Sequence, residues 1–360
     1  MKVIHIINSL EIGGAQKLIT DLIPLQKRQG VDVSILVFNE SRSNFEKKLI
    51  NCGITILSLN VSIQYNPTLI FKIRKHLKKN DIAHVHLFPA LYWVAIASIG
   101  LKTELIYTEH STSNRRRDSY FFQPIERLIY NRYSKIVSIS EQTQKNLINW
   151  LCPKEPTKFQ VIPNGVNLRK YQEAETKSVE SLFGRSGIPI LMVSRFVPAK
   201  DQTTLIKATK FIDNPNVFIA FAGDGELIND AKRISDNLGV DNRCVFLGNR
   251  DDIPDLIKVS AVGVQSSHWE GFGLTAVEFM AAGKPIIASS VDGLKQVVEG
   301  AGEIFQAGDE KGLAEKINIL LADHSYYDSM AEKCRIRATK YDISVMTQQY
   351  QKIYQNLCKK

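Results

Sequence analysis

Short runs rich in β-branched residues alternate with amphipathic stretches along almost the whole chain, and this alternation leaves few folds open. Strand-like runs fall at 2–8, 32–38, 54–59, 82–88, 104–109, 135–140 and 159–163, with helical patterns between most of them, as at 67–79 and 141–151. A polar, glycine-containing stretch at 178–187 reads as a linker. The alternation then restarts near 189–195, 216–222, 244–248, 261–266 and 285–289. From about 309 the pattern is helical, and Tyr341-Asp342 marks a break before the last helix. Strands that alternate with helices need crossover connections, which predict parallel sheets covered on both faces. Two such series in 360 residues predict two doubly wound α/β domains, at 1–175 and 186–342.

Composition narrows the class. With 44% hydrophobic and 23% charged residues, the chain has the make-up of a globular protein. Lys2 runs straight into the strand-like Val3–Ile7 without a signal-peptide pattern, so a cytoplasmic protein is expected. The longest nearly apolar stretch, Phe88 to Leu101, is short for a membrane span and predicts a buried helix. Cys52, Cys152, Cys244, Cys334 and Cys358 lack CxxC spacing and predict reduced thiols. The net charge of +9 gathers in Lys72–Lys79 and Arg115–Arg117. No helix-turn-helix, zinc-finger or RNP pattern supports a nucleic-acid partner. Tyr120-Phe121-Phe122 follows the arginines, so docking on an anionic membrane surface and a solvated basic helix face both remain open.

In open α/β sheets ligands bind beyond the carboxyl ends of strands. The strand at 189–195 runs into Arg195 and Lys200, two cations on a strand-to-helix loop that suit a diphosphate, although solvated loop cations look the same. After 216–222 comes Ala222-Gly223-Asp224-Gly225-Glu226, a site of close backbone approach or a tight turn capped by Asp224. The strongest signal is the segment from Ser266 to Pro285. There Glu270, Gly271, Phe272, Gly273 and Leu274 lead into a helix that carries Glu278 and ends at Gly283. Backbone N–H groups near Phe272–Thr275 can hold phosphate oxygens. Glu270 can accept sugar hydroxyls and Glu278 ribose hydroxyls, or the two are a loop residue and a helix former.

These residues resemble glycosyltransferase family 4 of the GT-B fold, whose hallmark is a pair of glutamates separated by seven residues around a Gly-Phe-Gly loop. The resemblance extends to Gly13-Gly14-Ala15-Gln16, to Val161–Asn167, to Arg195 with Lys200, to Gly223–Glu226 and to Phe246-Leu247-Gly248. It implies two Rossmann-like domains facing each other across a cleft, with the final helix (343–360) crossing back to the first. It also implies a sugar moved from a nucleotide-diphosphate donor, UDP foremost, to a saccharide or lipid-linked acceptor, with retention of anomeric configuration. A role in bacterial surface polysaccharide assembly follows from the same likeness.

By that resemblance Arg195 and Lys200 neutralise the diphosphate, Glu278 binds the ribose, and Glu270 with the Gly271–Leu274 backbone holds the transferred sugar. The base lies near Gly248, Asn249 and Arg250, Gly13 and Gly14 approach the donor phosphate or acceptor, and His110 is the active-site histidine. No Asp-x-Asp occurs, and Asp251-Asp252 reads as a cap before 253–259, so neither a metal nor another cofactor is expected. The pattern departs from the family at Gln16, Asn167 and Asp292, none of them a phosphate or sugar ligand. A GT-B nucleotide-sugar epimerase and a non-catalytic scaffold share the fold, and product analysis separates them from a transferase.

Overall fold

The computed structural model describes every residue except Ile12, Ser62, Ser113, Asn114 and Lys360; the side chains of Arg115 and Asp118 also lie outside the described residues. The chain divides into two compact units, Met1–Gly165 with Ile343–Lys360, and Val166–Asp342.

The first unit is built on seven parallel strands: β1 (Lys2–Ile7), β2 (Asp32–Val37), β3 (Thr55–Ser58), β4 (Ile82–His86), β5 (Glu104–Glu109), β6 (Lys135–Ser138) and β7 (Phe159–Val161). Their spatial order is β3-β2-β1-β4-β5-β6-β7. Central strands covered by helices on both faces are buried nearly end to end, as β4 is at all five positions. The direction of winding reverses between β1 and β4, where Val3 pairs with Ile82, and in such sheets the ligand crevice opens at that switch point. The stretch around 88–101 forms the helix Ala90–Ala97, which buries Ala90, Leu91, Val94, Ala95 and Ala97, as its apolar run predicts.

The second unit repeats the plan with β8 (Ile188–Val193), β9 (Val217–Ala222), β10 (Cys244–Phe246), β11 (Val262–Gln265), β12 (Ile286–Ser289) and β13 (Glu303–Phe305), ordered β10-β9-β8-β11-β12-β13. All six residues of β9 are buried. The sequence pattern misses β13. It is three residues long, has a single β-branched residue, and gains its strand geometry by pairing Ile287 with Glu303.

The units part at Gly165/Val166, earlier than the polar stretch at 178–187 suggests. That stretch contains a short helix, Val179–Phe183, capped by Ser178 and burying Leu182 and Phe183. Phe183 stacks edge-on against Phe218 at 5.6 Å, and Lys177 binds Asp255 at 2.7 Å, so these residues pack into the second unit. Polar, glycine-containing composition marks loops, and loops need not be linkers.

The last helix, Ile343–Cys358, packs within the first unit. It buries Ile343, Met346, Thr347, Tyr350, Ile353, Tyr354 and Leu357, one stripe of a 3.6-residue period. Each such large apolar side chain contributes about 1.5–3 kcal/mol of burial. Gly165 admits the helix start, since a Cβ there would stand 2.5 Å from Ile343 Cα. The five cysteines are free. Among the described residues no helix is long and apolar enough to cross a membrane.

Candidate active site

In the second unit the loops after β8, β9, β10, β11 and β12 carry the residues singled out by sequence. After β8 the chain turns through Pro198–Lys200 to Asp201, whose left-handed backbone (φ 48°) starts the helix Gln202–Ala208; its carboxylate accepts from Thr204 N at 3.2 Å. Gln202, buried, donates to Ser194 Oγ and to the Arg195 carbonyl, both at 2.9 Å, fixing the backbone from which Arg195 projects. The Arg195 side chain is exposed and has no ion-pair partner among the described residues.

The loop after β11 is tied directly to this turn. Buried Ser266 donates to the Asp201 carbonyl at 2.7 Å, and His268 N donates to the Ala199 carbonyl at 2.9 Å. The result is an ion pair between Lys200 Nζ and Glu270 Oε2, with 21% and 18% of the two side chains exposed. Thus two candidate residues seventy positions apart meet at the carboxyl edge of the second sheet.

Gly273, at φ 92°, turns the Glu270 loop into the helix Leu274–Ala281. Phe272 is buried against Tyr341 at 5.3 Å, and Glu278 is buried in the same helix. The loop after β12 presses on this one. A Cβ at Gly293 would meet the carbonyl oxygens of Glu270 and Gly271 at 2.2 and 2.6 Å. Gly293 therefore positions the Glu270 backbone, a role that its sequence context alone does not reveal.

On the other side of β8, Gly223 and Gly225 have positive φ (140° and 155°), and their Cβ atoms would collide with the carbonyls of Ser194 and Phe196. Gly223 N donates to the Gly248 carbonyl at 2.7 Å, which brings the loop after β10 alongside. Asn249 is exposed. Arg250 clamps Asp252 at 2.7 and 2.5 Å and reaches the Leu182 carbonyl. Asp252 occupies the residue before the helix Ile253–Val259 but makes no side-chain cap, because Arg250 holds its carboxylate and keeps its pKa below the usual value.

In the first unit Gly13 and Gly14 lie at the start of the 15-residue helix Gly14–Arg28, where backbone N–H groups lack intrahelical acceptors. His110 follows β5, and its Nε2 lies 3.1 Å from Nδ1 of His86 at the end of β4. Burial pushes the His110 pKa down to about 4.

Two of the three clustered arginines are engaged inside the first unit. Arg117 binds Glu109 at 2.5 Å and Arg116 binds Glu126 at 2.7 Å, with only 8% and 16% of their side chains exposed. Their charge is consumed by buried carboxylates, which also accept from Tyr130 and Trp150; the Arg115 side chain lies outside the described residues. Of the other basic run, Lys72 donates to the Leu59 carbonyl and Arg74 to those of Ala97 and Ile99, while Lys75, Lys78 and Lys79 are exposed.

Sequence reasoning passed over one group entirely. His84 and His86, two apart on β4, share a sheet face with His5 of β1, and all three are buried. The His-x-His spacing within a strand was the available signal.

The chain matches the family model for glycosyltransferase family 4 over residues 12–170 and that for glycosyl transferases group 1 over residues 174–340. It is 27% identical over 302 residues to UDP-Gal:alpha-D-GlcNAc-diphosphoundecaprenol alpha-1,3-galactosyltransferase of Escherichia coli, covering 78% of this chain and 76% of that one. It is 24% identical over 368 residues to phosphatidyl-myo-inositol mannosyltransferase of Mycobacterium leprae, covering 96% and 93%. Its fold superposes on Anabaena Alr3699/HepE, solved with UDP and glucose, with a TM-score of 0.87, 23% identity and coverage of 99% and 100%.

Proposed function

The chain belongs to glycosyltransferase family 4, with the GT-B fold, and moves a sugar from a nucleotide sugar; from that membership we propose a retaining, metal-independent enzyme that uses a UDP-sugar. The observation that carries this reading is the meeting of Lys200 and Glu270 beside the Arg195 backbone and the Gly271–Leu274 loop. Lys200 and Arg195 neutralise the departing diphosphate. Glu270 accepts hydroxyls of the transferred sugar, and Glu278 those of the ribose.

Family membership implies front-side attack on an oxocarbenium-like ion pair, in which the leaving phosphate takes the acceptor proton. Catalysis is then positioning and electrostatic stabilisation. UDP is supported by the ligand solved with the Anabaena neighbour and by the donor in the Escherichia coli relative's name. That relative's diphosphoundecaprenol-linked acceptor supports a saccharide carried on a lipid, as in assembly of a bacterial surface polysaccharide.

The donor reading is tested by thermal shift against UDP, GDP, dTDP, ADP and CMP. UDP at about 100 times its Kd is expected to stabilise the wild type by roughly 2.7 kcal/mol, and Glu278→Ala to lose that shift. A shift with GDP alone replaces the donor, and no shift with any nucleotide removes the donor-site assignment.

We place the enzyme at the inner face of the membrane through exposed Lys75, Lys78 and Lys79 with Phe71, and through exposed Tyr120, Phe121 and Leu128. Three lysines near an anionic surface contribute about 1 kcal/mol each. Lys75→Glu/Lys78→Glu/Lys79→Glu is therefore expected to lower sedimentation with phosphatidylglycerol vesicles by at least tenfold at low salt. Equal sedimentation of wild type and variant sinks this placement.

A further inference from the structure

Five side chains of the first unit, from two helices, two strands and the loop after β5, form one hydrogen-bonded path. Gln26, on the helix Gly14–Arg28, donates Nε2 to Tyr354 Oη at 3.1 Å and turns Oε1 toward His5 Nε2 at 2.8 Å. His5 Nδ1 faces His86 Nε2 at 3.0 Å, and His86 Nδ1 faces His110 Nε2 at 3.1 Å. A branch runs from Tyr354 Oη to His84 Nδ1 and from His84 Nε2 to Thr108 Oγ1, both 2.7 Å, and on to Tyr350 Oη at 3.0 Å. Ring nitrogens of His5, His84 and His86 lie within 4.8 Å of one another, a spacing compatible with a cation. Every one of them is already engaged by a hydrogen bond, so the cluster is a network and not an empty ligand set.

Burial keeps these rings neutral, with the His5 pKa pushed down to about 4 and those of His84 and His86 well below the usual value. A neutral imidazole has one N–H and one lone pair, so fixing one end fixes the other. Gln26 Oε1 only accepts, so His5 carries its proton on Nε2 and accepts at Nδ1. His86 must then donate from Nε2 and accept at Nδ1, and His110 must donate from Nε2.

We propose that Gln26, acting through His5 and His86, is a positioning residue that locks His110 in the Nε2–H tautomer and leaves its Nδ1 lone pair to accept a substrate hydroxyl. The hydroxyl rests on the active-site role proposed above for His110; the tautomer does not. Tyr354 Oη accepts from the Gln26 amide, so the last helix is joined to the path that reaches a residue after β5.

The test is a long-range 1H–15N correlation spectrum of protein labelled with 15N-histidine, the His110 signals being assigned by His110→Asn. Wild type is expected to show His110 protonated at Nε2 only. Gln26→Met, similar in length but without an acceptor, is expected to give a mixture of tautomers. Its kcat should fall on the order of tenfold, with the donor KM within about twofold. Tyr350→Phe, which breaks a bond off the path, should leave the His110 tautomer unchanged. Should Gln26→Met fail to fold, Gln26→Asn withdraws the acceptor by one methylene and gives the same readout. A wild-type His110 protonated at Nδ1, or a tautomer unmoved by loss of the Gln26 acceptor, overturns the proposal. If the tautomer responds as expected while His110→Asn keeps full activity, the relay stands and the active-site role of His110 falls.

Discussion

Replacing Lys200 by alanine is expected to lower kcat by on the order of 10²–10³-fold, the size of effect seen when one preorganised donor to transition-state charge is removed. The expectation follows from where the charge goes. As the glycosidic bond breaks, negative charge accumulates on the diphosphate, and Lys200 lies on the turn that its oxygens would meet. In the structure the ammonium is held by Glu270, with both side chains about one-fifth exposed. A partly solvated pair of this kind contributes about 0–1 kcal/mol to folding. The variant should therefore melt within about 2–4 °C of the wild type.

Steady-state kinetics separate the alternatives. A loss in kcat and in kcat/KM together assigns Lys200 to the transition state, whereas a raised KM with kcat intact assigns it to ground-state binding alone. If Arg195 and Lys200 supply the positive charge as proposed, the wild-type rate is also expected to persist in EDTA. A rate abolished by EDTA and restored by Mg²⁺ would show that these two cations do not suffice.

The parts of this site that sequence displays are those set by local rules. The Gly-Phe-Gly turn, the glutamates on either side of it and the cations after β8 lie on loops whose place follows from the strand–helix alternation. Gly273 shows its reason locally, because a positive φ before a helix needs glycine. Gly293 does not. Its smallness is demanded by the carbonyls of Glu270 and Gly271, brought there by tertiary packing. The same holds for β13, which becomes a strand through a partner, and for Val179–Phe183, whose apolar pair is anchored by Phe218.

Charge was the most misleading signal, since a run of arginines looks alike whether it faces water or a buried carboxylate. Glu109 ends β5 and Glu126 lies in the helix Gln123–Asn131, so no single element's period links them to Arg117 and Arg116. The histidine network was hidden for a related reason. Its histidines are spread from residue 5 to residue 110, and the parallel order β1-β4-β5 brings their rings together.

Arg117→Ala is expected to destabilise the first unit by about 3–5 kcal/mol, the range for removing one partner of a buried ion pair. Glu109 is 5% exposed at its side chain, and the same oxygen, Oε2, accepts from both Arg117 (2.5 Å) and Tyr130 (2.9 Å). Without the guanidinium, the carboxylate either stays charged in an apolar setting or takes up a proton, and each course costs stability. The transition of this unit should fall by on the order of 10 °C.

Glu109→Gln in the Arg117→Ala background should recover part of the loss. A neutral amide needs no counter-charge, and its oxygen can still accept from Tyr130. The double variant separates the two roles that a basic cluster can play. If Arg117 served a membrane surface, its removal would lower vesicle binding, leave melting unchanged and gain nothing from the change at Glu109. Because Glu109 ends β5 immediately before His110, the buried pair also fixes the backbone that carries this histidine. Turnover by Arg117→Ala should therefore fall even below its melting point, and Glu109→Gln should restore turnover and stability together.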